Sequence, residues 1–135
     1  MSSDSKNIAL VRHVITQVQQ NGKFDLIDRY CHPDFVNRTP LPGFVANRDG
    51  IHQAMHYLHA ALTDIKVDIQ HCVCTGDVVA TNKVVSGKHV GELLGQPASG
   101  QRIEFRVMEF MRVQDEQLIE HWGLPGSVTP ASTST

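Results

Sequence analysis

The sequence predicts a single α+β domain in which helices from the first half cover one face of a curved, mostly antiparallel sheet from the second. Three observations lead there. Apolar residues recur at helical spacing as far as Leu62, and from Ile65 onward they alternate with period two. The later strand-like runs are separated by turns and one loop, not by further helices. At 135 residues the chain is long enough for one core and too short for two.

The elements follow in order. Ile8, Val11, Ile15 and Val18 give a first helix over Lys6 to Gln20, with Ser5 as its cap and Asn21-Gly22 as its stop. A second, short helix runs from Phe24 to Tyr30 and is broken by Pro33. His32 to Asn37 reads as a turn into a short extended segment. Thr39-Pro40-Leu41-Pro42-Gly43 is a loop, because two prolines and a glycine sustain neither helix nor central strand. The third helix, Arg48 to Leu62, carries Ile51, Ala54, Met55, Leu58 and Leu62 on one stripe. Four longer strands complete the domain: Ile65–Val73, Val78–Val85, Arg102–Val113 and Leu118–Trp122. The folded domain is expected over residues 1–126. The Ser/Thr-rich stretch 127–135 reads as a disordered tail.

Composition excludes several classes of function. Apolar residues make up 41% of the chain and charged residues 19%, a globular balance. The net charge of −2 with scattered Lys and Arg argues against a nucleic-acid face. No apolar run approaches the ~20 residues that cross a bilayer. The first residues lack a basic flank followed by an apolar stretch, so no secretory signal is expected. Three cysteines, Cys31, Cys72 and Cys74, then read as reduced thiols in a cytoplasmic protein. Cys72 and Cys74 have no second thiol or imidazole pair at zinc spacing, so no metal is expected there. His52, His56 and His59 form a stripe on the third helix, away from its apolar face and without a carboxylate near them in sequence. They read as a wet face or a subunit contact.

The candidate chemistry lies on the strand Arg102–Val113. One of its faces reads Ile103, Phe105, Val107, Glu109, Met111 and Val113, so Glu109 is a lone charge on an apolar stripe. Burial there should raise its pKa and suit it to proton transfer. A three-residue turn at Gln114-Asp115-Glu116 would set Glu109 opposite His121 and form an acid/base pair. A two-residue turn would set it opposite Trp122 instead. Phe105, Val107, Met111 and Trp122 are candidate pocket walls. Asn82, on the face of Ala80 and Val84, and His89, at a strand end, are candidates for holding a substrate oxygen.

Four stretches resemble the SnoaL-like polyketide cyclase group of the nuclear-transport-factor-2-like superfamily. They are Tyr30–Val36, Gly87–Glu92, Gly95–Gly100, and the arginine-bearing hairpin from Phe110 to Glu120-His121-Trp122. The resemblance implies a cone-shaped barrel, a homodimer or larger homo-oligomer formed through the open sheet face, and a hydrophobic small-molecule substrate handled without cofactor. Family cyclases close a ring by intramolecular aldol condensation, using an Asp just after the Trp; here that residue is Gly123. The family often places a His where this chain has Glu109, so the carboxylate has moved one strand over. The expected function is a cyclase or isomerase acting by acid/base catalysis on a polyketide- or terpenoid-like substrate. An epoxide hydrolase of the limonene epoxide hydrolase type and a non-catalytic ligand-binding protein are the alternatives.

Overall fold

The computed structural model describes residues 3–132. Helix α1, Ser3–Val14, runs on into a π-helical segment, Ile15–Gln20, and buries Val11, Ile15 and Val18 along one side. The chain reverses at Gly22, whose φ of 72° suits a residue without a side chain. A 3₁₀ turn, Phe24–Leu26, leads into the short α2, Ile27–Tyr30. Helix α3, Arg48–Ala61, begins at Asn47, whose side chain accepts the backbone N–H of Asp49 at 3.0 Å.

The histidine stripe of α3 leans on the first helices, and of its three residues His56 is exposed while His52 and His59 are half-buried, so the wet-face reading holds in part. His52 Nε2 lies 2.7 Å from Asp28 Oδ1 on α2. The rings of His56 and His59 pack on Phe24, and His59 Nε2 meets the Gln19 carbonyl at 2.7 Å. These partners are remote in sequence, so only the packing of α3 on the first helices reveals them.

The sheet contains six strands: β1 Cys31–Asn37, β2 Leu62–Thr75, β3 Val78–His89, β4 Arg102–Gln114, β5 Gln117–Pro125 and β6 Thr129–Pro130. Their order is β1-β5-β4-β3-β2, with β6 added against β4. Among the described residues only β1 and β5 run parallel; the other pairs are antiparallel. Strand β6 corrects the expectation of a disordered tail from residue 127, because Thr129 and Pro130 pair with Glu104 and Ile103. Residues 133–135 of that stretch lie outside the described residues.

Two bulges decide which side chains face inward. In β2 the register slips at Gln70, between the pairs Ile69–Lys83 and His71–Asn82. Strict alternation predicts Val73 on the face of Ile65, Val67 and Ile69; the slip instead turns Cys72 and Cys74 inward and leaves Val73 60% exposed. The β4–β5 turn has two residues, Asp115 and Glu116, at φ 53° and 63°, and it pairs Gln114 with Gln117. A second slip follows at Ile119, so that Arg112 faces Glu120 and Glu109 faces Gly123. The inner surface of the sheet and the helices enclose two apolar clusters. One is centred on Val11, Ile15, Phe35 and Met111, the other on Leu58, Val85, Ile103 and Phe105.

Candidate active site

A cavity of about 210 Å³ is bounded by side chains of both apolar clusters. Phe105, Val107 and Met111 of β4 line it, as the sequence predicts, and Phe44, Met55 and Tyr57 line it from the loop and α3. Its main polar wall holds Lys83, Glu109, His121, Asn37 and Thr39, with the backbone of Gly123, and Gln19 adds a further polar side chain to the lining.

The sheet register assembles this wall around Glu109. Thr81 of β3 and Gly123 of β5 stand directly opposite it on either side. Lys83 and His121 are its diagonal neighbours, within reach because both side chains are long. Lys83 Nζ lies 2.5 Å from Glu109 Oε1, to which Thr81 also donates at 3.1 Å. His121 Nε2 lies 2.8 Å from Glu109 Oε2. Thus Glu109 and His121 do meet, but diagonally; neither turn weighed from sequence produces this register.

Asn37 fixes the tautomer of His121. Its Oδ1 accepts the backbone N–H of Thr39 at 3.0 Å, which identifies that atom as the oxygen. The same oxygen lies 3.0 Å from His121 Nδ1, so Nδ1 carries a proton and Nε2 is the nitrogen that gains or loses one. Thr39 braces the adjacent backbone, since its hydroxyl accepts from Gly123 N at 2.8 Å and donates to Gly123 O at 2.7 Å.

The charge state of Glu109 is the reverse of the sequence expectation. Burial pushes its carboxyl upward, but the Lys83 ammonium and the hydrogen bond and charge of His121 together hold it at about 2, against an ordinary value of 4.5. Burial was legible in the sequence; the ammonium was not. Glu109 is therefore an anion in the folded protein near neutrality. Because its folded pKa is depressed, the resulting stability, about 3 kcal/mol, is complete above pH 4.5 and is lost as pH falls toward 2. Urea unfolding between about pH 5 and about pH 3 should show this loss in the wild type, and Glu109→Gln should lack that component.

Cys31 also lines the cavity, but burial pushes its thiol up to about 12, so it stays protonated. Tyr57 donates to Glu92 Oε2 at 2.8 Å and accepts from Leu94 N at 2.7 Å, so its hydroxyl is already committed.

Three predicted binding residues stand elsewhere. Asn82 lies on the outer face of β3, where its amide meets His71 Nδ1 at 3.1 Å and Arg106 Nη1 at 2.6 Å. Trp122 also faces outward, because neighbours in a strand point to opposite sides and His121 points in; the Arg112 guanidinium lies 5.8 Å from its ring centre. His89 is 2% exposed but belongs to the packing beside Ser99 Oγ, at 3.1 Å, and not to the cavity wall. Conversely, sequence reasoning passed over Lys83, Thr81, Asn37 and Thr39. Lys83 shares its face with Val79, Thr81 and Val85, but Val78 and Val84 make the other face of β3 equally apolar, so alternation alone did not mark it.

Comparison with known proteins places this geometry. The family model for SnoaL-like polyketide cyclase matches residues 9–131. The chain belongs to that family. Nogalonic acid methyl ester cyclase of Streptomyces nogalater is 28% identical over 111 residues, covering 77% of this chain and 79% of that protein. The crystal structure of IdmH, described as a putative polyketide cyclase from Streptomyces antibioticus, superposes with a TM-score of 0.73 at 27% identity, covering 92% of each chain. TsrD from Streptomyces laurentii gives 0.80 at 22% identity over 93% of this chain and 91% of its own, a likeness of fold. Within the SnoaL-like frame, Gly123 is the position where the resemblance implies a catalytic Asp. A Cβ there would approach Glu109 Cβ to 2.7 Å. The missing side chain at 123 is thus what lets Glu109 occupy this wall.

Proposed function

We propose that the chain is a cofactor-independent cyclase or isomerase acting on a hydrophobic, enolisable polyketide-like substrate, with the Glu109–His121 pair as its proton-transfer unit. The observation that supports this reading best is the His121 Nε2–Glu109 Oε2 contact of 2.8 Å on the polar wall of a largely apolar cavity. A carboxylate held at about 2 is a poor general acid or base at neutrality, so the proton carrier is His121. In the cycle, the substrate's 1,3-dicarbonyl unit enters as its enol. The enol carbon attacks a second carbonyl within the same molecule, the imidazolium Nε2–H passes its proton to the alkoxide that forms, and Nε2 takes the enol O–H proton in its place. Glu109 supplies the counter-charge to the imidazolium, and Asn37 holds the ring through Nδ1.

Ring closure leaves the mass unchanged, so the assay follows absorbance and chromatographic retention. Nogalonic acid methyl ester is the first substrate to offer, with a limonene-type epoxide beside it. The wild type is expected to convert the polyketide ester, and His121→Asn to slow conversion by about 10²-fold or more. A wild type that binds the ester without converting it would shift the reading to a ligand-binding protein on the same scaffold. One observation favours that alternative: both oxygens of Glu109 are already engaged, by Thr81, Lys83 and His121.

A further inference from the structure

We propose that Lys83 is the receptor for a substrate oxygen, and that the cavity selects ligands carrying an acidic enol or phenol on an apolar, planar body. This rests on reading the same cavity as a substrate site, but not on which residue moves the proton.

The argument begins with an incomplete set of hydrogen bonds. A lysine ammonium has three N–H donors. The Lys83 side chain is 4% exposed, and among the described residues Glu109 Oε1 is its one partner. A buried cation with uncommitted donors is costly unless something accepts from them. Lys83 lines the cavity, so those donors are available to whatever fills it. Thr81 Oγ donates to Glu109 and Thr39 Oγ is committed to the Gly123 backbone, while Gln19 Oε1, also on the cavity, is a buried acceptor without a hydrogen-bond partner among the described residues.

Charge defines the ligand further. The ionisable groups on the polar wall are Lys83, Glu109 and His121. Glu109 balances one cation, so when His121 carries its second proton the wall is positive by one charge. A neutral ligand leaves that charge exposed to the low-dielectric interior, whereas an enolate or phenolate oxygen neutralises it. The remaining walls are aromatic and aliphatic, including Phe44, Phe105, Val107 and Met111, which suits a flat apolar body. The chemistry is recognition by a charge-assisted hydrogen bond and not imine formation: Nζ is ion-paired with a carboxylate at 2.5 Å, and an ammonium in such a pair has no lone pair to attack a carbonyl.

Alizarin, a dihydroxyanthraquinone whose visible band moves to longer wavelength on ionisation, provides the probe, with its dimethyl ether as the control that cannot ionise. Wild-type protein is expected to bind alizarin with the phenolate spectrum, at a pH where free alizarin is still mainly neutral. The ether should bind about tenfold more weakly or worse. Glu109→Gln leaves Lys83 without its carboxylate, so a bound phenolate becomes the anion that pairs with it and the spectral shift should be retained even though turnover is impaired. Lys83→Met combined with Glu109→Gln removes both charges together and leaves neither orphaned, so a folded protein without the shift is expected. The inference is overturned if the wild type binds the ether as well as the phenol, if it fails to bind alizarin at its solubility limit, or if the double variant retains the shift. It is also overturned if cyanoborohydride with an aromatic aldehyde traps an adduct on Lys83, because that would make the nitrogen a nucleophile. Retention of the shift without any ring-closing activity would sink the cyclase reading alone and leave the oxygen receptor standing.

Discussion

Lys83→Met on its own should destabilise the protein by about 3–5 kcal/mol, the cost expected when one member of a buried ion pair is deleted. Glu109 would remain 5% exposed, with Thr81 and His121 as its partners and no full counter-charge fixed beside Oε1. The penalty arises from the orphaned carboxylate more than from lost attraction. Adding Glu109→Gln should therefore recover most of it, and the double variant should be more stable than Lys83→Met. Urea denaturation of the wild type, both single variants and the double variant forms a complete cycle. If Lys83→Met costs less than about 1 kcal/mol, the ammonium is not the main counter-charge of Glu109. The low carboxyl pKa would then need another cause.

Gly123→Asp should be the most damaging single change to activity. An added Cβ would meet Glu109 Cβ at 2.7 Å, Glu109 Cα at 3.3 Å and His121 Cε1 at 3.3 Å. The nearest atoms belong to a strand backbone and the root of a side chain, which cannot swing aside as a flexible tip can. Overpacking of this kind costs about 1–3 kcal/mol, and the aspartate adds a second carboxylate beside the first. Gly123→Ala isolates the steric part. Both variants should push His121 out of line with Glu109, and a displacement near 1 Å at such a site costs about 10²-fold in rate. Thermal unfolding and turnover measured together would separate the effects: a modest fall in Tm with a large fall in kcat is the expected pattern. Equal activity in Gly123→Ala and wild type would show that the wall tolerates the shift.

Much of the fold was legible because its periods are clean. The α3 stripe of Ile51, Ala54, Met55 and Leu58 and the alternation Phe105, Val107, Glu109 and Met111 each have one dominant reading. The site was harder. Strand β3 is apolar on both sides, with Val79 and Val85 facing in and Val78 and Val84 on the other face. Its pattern therefore did not say whether Asn82 or Lys83 entered the cavity. Choosing Asn82 removed the ammonium from consideration, and with it the reason for the low pKa of Glu109. Turn chemistry misled as well: Asp115-Glu116 occupies a two-residue turn with both φ values positive, a conformation ordinarily signalled by Asn-Gly. Asn37 and Thr39 come from the crossing of β1 past β5, a contact between segments more than eighty residues apart in sequence.

The slip at Ile119 gives the site an unusual kind of memory. Leu118 faces the core, and if Ile119 were paired as an ordinary strand residue simple alternation would turn Glu120 inward and His121 outward. Whether this wall presents an imidazole or an indole is therefore stored in the pairing of one residue. Deleting Ile119 would erase the slip and leave His121 inside, because Leu118, Glu120 and His121 would then alternate directly. Drawing Ile119 into the ladder would instead bring Trp122 to the inner surface without altering either residue, converting a proton-handling wall into a stacking one. Changes that make or remove such a slip are thus a route by which this fold acquires or discards its chemistry.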